Sequence, residues 1–112
     1  MIWLLLVLAQ PATVPGRLYH VVALEKLATS RWTHVEVCGP VVYRRKMEDG
    51  DYHITLDNGL ARMVVEIIPA IPLDPPKKGQ RIRVRGISRW DRDHGWPEVH
   101  PAEYLEVVES CQ

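Results

Sequence analysis

Two segments, Val35-Glu-Val-Cys-Gly39 and Ile82-Arg-Val-Arg-Gly86, share one pattern: apolar, any, apolar, any, glycine. Alternation with a period of two buries one face of a strand. A glycine inside such a strand marks a bulge or a sharp bend, because it accepts backbone angles that a coiling strand needs. Two long strands, each bent at a glycine, suit a small closed barrel in which one strand serves both sides. A two-sheet sandwich asks for about seven strands, more than the pattern of this chain supplies.

Five strands are expected. "VEVCGPVVY" places Val35, Val37, Val41 and Tyr43 on one face, and "YHITL" turns Tyr52, Ile54 and Leu56 inward. Between "YHITL" and the apolar run "MVVEII", Asp57-Asn58-Gly59 is a tight-turn signal, since Asn and Gly tolerate positive φ. Pro69 ends that run, and four prolines from Pro69 to Pro76 forbid a ladder strand in the connector. "QRIRVRGISRW" then alternates again, and "EVHPAEYLEVV" closes the chain. Ahead of the strands, "RLYHVVALEKLATS" has helical apolar spacing at Leu18, Val21, Leu24 and Ala28, although the β-branched Val21-Val22 pair counts against a helix.

The 112 residues make one small domain with a single modest core. Residues 1–16 read as a signal-like apolar segment and linker, and residues 17–112 as the domain. The run from Ile2 to Ala9 is too short for a membrane span, which needs about 20 residues. It resembles the hydrophobic core of a secretory signal ending Val7-Leu8-Ala9, but no Lys or Arg precedes it. If it is a signal the protein is exported or periplasmic; otherwise it is cytoplasmic. Cys38 and Cys111 are the only cysteines; in an exported chain they permit one disulfide, and otherwise they are a strand residue and a tail thiol.

A short helix, a tryptophan, a Val-x-Val-x-Gly strand and the hairpin Asp49-Gly50 to Gly59 are followed by "VVEI", "RVRG" and "EVHP" strands. Together they resemble the OB-fold, and more specifically are similar to the small bacterial exported OB-fold proteins called the BOF family. The likeness runs from Val21 to Val108 and departs in the proline-rich connector and in "DHGWPEVHP". It implies an all-β chain with a short N-terminal helix, folded as a five-stranded Greek-key barrel. It also implies a binding role, since OB-folds as a class take oligonucleotides or oligosaccharides.

Fourteen basic residues balance fourteen acidic ones, so net charge selects no partner. The distribution is uneven: seven basic residues and one acid lie between Lys77 and Arg92, whereas Asp93 to Gln112 holds five acids and no Lys or Arg. Opposite Ile82, Val84 and Trp90, the fourth strand carries Arg81, Arg83, Arg85 and Arg89, a stripe suited to tracking phosphates. Arg44, Arg45 and Lys46 extend it, and Tyr43, Tyr52, Trp90 and Trp96 offer stacking platforms. A second reading stays open. In an OB-fold the fourth strand lies between the first and fifth, so Glu36, Glu98, Glu103 and Glu106 are placed to pair with the arginines. Such pairs contribute roughly 0.2–1 kcal/mol each and leave only a solvated face.

"WDRDHGWPEVHP", Trp90 to Pro101, joins the last two strands. Asp91 to Gly95 reads as a turn in which Asp side chains cap backbone amides and Gly95 takes positive φ. Trp96, His94 and His100 would line this edge of the barrel. Asp91, Asp93, His94, Glu98 and His100 offer metal-type donors, but side chains in a turn are as readily solvated, and no Cys/His zinc spacing occurs. No metal or cofactor is assigned. The chain has no recognisable nucleophile motif, His-Glu-x-x-His or glycine-rich phosphate loop, so a non-enzyme is expected. Two function classes remain: a module binding single-stranded nucleic acid or another anionic polymer, and an exported domain that contacts a protein partner.

Overall fold

A computed structural model describes residues 17–112, so the signal-like segment and linker lie outside the described residues. The alternating segments become strands β2 (His34–Lys46), β3 (Tyr52–Asp57), β4 (Arg62–Ile67), β5 (Arg81–Asp91) and β6 (Trp96–Val108), preceded by a two-residue β1 (His20–Val21). The sheet runs β1-β2-β3-β4-β6-β5 and closes through β2–β5. Most pairs are antiparallel; β1–β2 and β4–β6 are parallel. This is the closed five-stranded OB-fold barrel, with one short extra strand. Its interior is filled by Val35, Val37, Val41, Ile54, Leu56, Met63, Val65, Ile82, Val84 and Val99, all at most 2% exposed.

One long strand does serve both sides. Residues 34–40 of β2 pair with β5, and residues 41–46 pair with β3. The two glycines flank this geometry, but neither adopts a positive φ; what they supply is space. A Cβ at Gly86 would sit 2.3 Å from the Pro101 carbonyl oxygen and 2.5 Å from Val99, and one at Gly39 would meet Leu24 at 2.7 Å. The β5–β6 register shifts on both sides of Gly86, whereas the β2 irregularity lies beyond Gly39, between Val41 and Tyr43.

That irregularity corrects one expectation. Tyr43 does not share the inward face of Val35, Val37 and Val41, because the shifted register turns it out to 55% exposure. Trp90 likewise leaves the face of Ile82 and Val84: the shifts around Gly86 reverse the alternation, and Trp90 is half exposed. The predicted helix shrinks to a 3-10 turn, Leu24–Thr29, that buries Leu24 and Leu27. Leu18 and Val21 are exposed, because the chain before the turn is extended and His20–Val21 pairs with β2.

The turns follow their chemistry. Gly59 takes a φ of 88°, and Oδ1 of Asn58 accepts from the amides of Leu60 and Ala61. Oδ1 of Asp91 accepts from the amides of Asp93 and His94, with Gly95 at a φ of 72°. The proline-rich connector forms no strand and packs Leu73 against the core. Cys38 and Cys111 are bridged, their Cα atoms 5.6 Å apart, so the tail is tied to β2. No helix among the described residues is long and apolar enough to cross a membrane.

Candidate functional site

Strands β3 and β4 pair through Asp57–Arg62 to Tyr52–Ile67, and their outer face carries His53, Thr55, Arg62, Val64 and Glu66. The β5–β6 turn overhangs this face at one side, and the end of β2 flanks it at the other. The result is a groove of about 310 Å³ lined by Tyr43, Arg45, Met47, His53, Thr55, Arg62, Val64, Asp91, His94, Trp96 and Glu98. His94 stacks on Trp96, with ring centroids 4.7 Å apart and planes 7° from parallel. Nδ1 of His94 donates to Asp91 at 2.9 Å. That bond holds the imidazole above its ordinary pKa and the Asp91 carboxyl below its own. Arg62 is paired with Asp57 at 3.0 Å, whereas Arg45 makes no ion pair or side-chain hydrogen bond among the described residues.

The arginine stripe lies elsewhere on the barrel, and three of its four charges are matched by acids. Arg83 reaches Glu106 at 2.5 Å and Glu36 at 3.7 Å, and Arg85 reaches Glu36 at 2.8 Å. The Arg85 guanidinium also lies over the rings of Tyr19 and Tyr104. Tyr104 donates to Glu106; burial, then the adjacent carboxylate, pushes the phenol up, while that hydrogen bond and Arg83 hold Glu106 down. Arg89 pairs with Glu98 at 2.7 Å, and Arg81 donates to the Glu109 carbonyl. Of the four acids expected beside the stripe, Glu103 alone turns away, to Arg17 and Tyr19.

The remaining candidates scatter. Arg44 donates to the carbonyls of Pro75 and Pro76 and sits over the ring of Tyr52, which packs against the core. Trp90 lines a separate cleft with Trp32 and Pro97. His100 lies on β6 beside Glu98, its pKa lowered by burial and by Arg89. Glu98 is buried, and that burial, with Glu66 beside it, raises its carboxyl. Thus Tyr43, Arg45, His94 and Trp96 meet in the groove, whereas Arg44, Tyr52, Trp90, His100 and the arginine stripe do not line it. His53, Arg62 and Glu66 were missed. The available signal was a lone acid in the apolar run "MVVEII", whose ladder partner is His53.

No protein-family model matches this chain, and no curated protein matches it in sequence. Among solved structures it is similar to an aspartyl-tRNA synthetase from Leishmania major Friedlin (TM-score 0.67, 12% identity, 91% of this chain and 24% of that one). An asparaginyl-tRNA synthetase from Pyrococcus horikoshii gives a TM-score of 0.66 at 14% identity over 85% of this chain and 24% of that one. A replication protein A heterotrimer bound to ssDNA gives 0.63 at 9% identity, over 81% of this chain and 83% of that one. The chain spans about a quarter of each synthetase. At these identities the likeness shows the fold.

Proposed function

We propose that this chain is a non-catalytic OB-fold module that binds single-stranded nucleic acid in the β3–β4 groove. The observation that carries the reading is the groove itself: a stacked His94–Trp96 pair and Tyr43 face one channel with the unpaired Arg45. Base stacking contributes about 1–3 kcal/mol per base whatever the sequence, and an unpaired arginine is available to phosphate. In OB-folds this face and its two flanking loops are the usual ligand contacts. A structural neighbour solved with ssDNA bound is consistent with that use. The stripe at Arg81, Arg83, Arg85 and Arg89 is assigned instead to stability, because each guanidinium already has a partner.

One observation favours a second reading. The Cys38–Cys111 bridge suits an oxidising compartment, and with the signal-like N-terminus it supports an exported domain whose ligand is a protein or an oligosaccharide.

Fluorescence anisotropy with a labelled single-stranded 12-mer at two salt concentrations separates the readings. Trp96→Ala is expected to weaken binding by at least about fivefold with little change in salt slope. Arg45→Ala is expected to weaken binding and flatten the slope by about 0.7. Arg83→Ala with Arg85→Ala is expected to lower the melting temperature while leaving affinity unchanged. Wild-type protein that binds no oligonucleotide at low salt refutes the nucleic-acid reading.

A further inference from the structure

Glu66, Glu98 and His100 converge beneath one edge of the groove. The Glu66 carboxylate lies 3.3 Å from Nε2 of His53 and 3.4 Å from Nδ1 of His100. Nδ1 of His100 is in turn 3.8 Å from the Glu98 carboxylate. The donor atoms of Glu66, Glu98 and His100 all fall within 4.8 Å of one another, and Glu66 belongs to a second such group with Asp51 and His53.

Three features set this cluster apart from an ordinary ion-pair network. Both carboxylates are more than nine-tenths buried, with side chains 7% and 1% exposed. Two buried negative charges are costly unless matched, and Arg89 compensates only that of Glu98. Nδ1 of His100 is buried with no hydrogen-bond partner, although two carboxylates face it. Finally, the spacing is wrong for charge-assisted hydrogen bonds, which run at about 2.7–2.9 Å. The 3.4 Å between Glu66 and His100 fits a coordination shell, since metal–ligand bonds of about 2.0–2.1 Å at tetrahedral angles put neighbouring donors about 3.3–3.5 Å apart, and the 3.8 Å to Glu98 is slightly longer.

We propose that Glu66, Glu98 and His100 form a site for a divalent transition-metal ion of the zinc class. Mixed imidazole and carboxylate donors select such ions over magnesium or calcium, which take oxygen alone. The Arg89–Glu98 contact orients one ligand from outside, as outer partners of metal ligands do. Glu98 also lines the groove wall, so the site lies at its edge. The inference does not rest on the nucleic-acid reading, and its test uses the metal alone.

The full chain, stripped with EDTA, is titrated with Co²⁺ and then with Zn²⁺. One equivalent of Co²⁺ is expected to give visible absorption bands that Zn²⁺ abolishes. Glu66→Gln and His100→Ala are each expected to raise the Zn²⁺ dissociation constant by at least about tenfold. His20→Ala, which removes a histidine outside the cluster, is expected to leave it unchanged. Should the ligand variants unfold, the wild-type protein still decides: ¹⁵N spectra are expected to show the His100 Nδ1 signal moving on Zn²⁺ addition. No binding tighter than about 1 mM, or binding that moves His94 and leaves His100 in place, overturns the proposal.

Discussion

Replacing Cys111 by serine removes the covalent link between the tail and β2 while disturbing little else, since Cys111 is exposed beyond the last strand. The bridge joins residues 73 apart in sequence. In the chain-entropy account, closing a loop of that length removes enough freedom from the unfolded ensemble to stabilise the fold by about 4 kcal/mol. For a domain of this size each kcal/mol moves the melting temperature by about 4–8 °C. Cys111→Ser is therefore expected to melt about 15–30 °C below the oxidised protein, and reduction of the wild type is expected to reproduce that loss. Thermal unfolding followed by circular dichroism, with and without a phosphine reductant, measures both. Urea unfolding adds a check: freeing the denatured chain exposes more surface, so the slope of stability against urea is expected to rise. A fall of less than about 5 °C in both samples would refute the entropic reasoning, because a loop this long gives the effect its full size.

Gly86→Ala is expected to cost about 3 kcal/mol or more in urea unfolding, since its Cβ lands on the Pro101 backbone oxygen, whereas Gly39→Ala meets only the movable end of Leu24 and is expected to cost about 1 kcal/mol; equal losses would contradict the geometry. The His94–Asp91 pair predicts a histidine titration midpoint above the ordinary 6.5 by NMR, returned towards it by Asp91→Asn. Because the folded His94 value is raised, its contribution to stability is complete below pH 6.5 and disappears as pH rises through the folded midpoint; because the folded Asp91 value is lowered, its contribution is present above the ordinary 3.8 and is lost as pH falls through the folded one.

The barrel was legible because its signals are local. Alternation in "VEVCG" and "RIRVRG", the Asn58-Gly59 turn and the proline block each act within a few residues, and together they leave a five-strand closure. Tyr43 and Trp90 were misplaced because register shifts, created by β2 changing partners and by the crowding at Gly86, invert the alternation partway along a strand. The choice between a free and a matched arginine stripe was open, because it depends on which acid each arginine meets across the ladder. Arg85↔Glu36 and Arg83↔Glu106 are ladder partners, so that part followed from the strand order once the register was fixed. The Glu66–His100 cluster was invisible for a different reason. It arises from the parallel pairing of β4 with β6, elements separated by the whole proline-rich connector and by β5.

That same parallel pairing makes closure of the barrel depend on a late segment of the chain. Among the described strands, β6 follows all the others in the sequence, and it alone pairs with both β4 and β5. Until it emerges, the nascent chain presents two unpaired strand edges beside a half-covered apolar interior, the kind of surface that captures neighbouring chains. A polypeptide truncated before Trp96 keeps the hairpin of β3 and β4 yet has no means of sealing the wall, and it also lacks Glu98, His100 and the cysteine that meets Cys38. Barrel closure and the Cys38–Cys111 cross-link thus both wait on the same stretch of chain, β6 and the few residues after it.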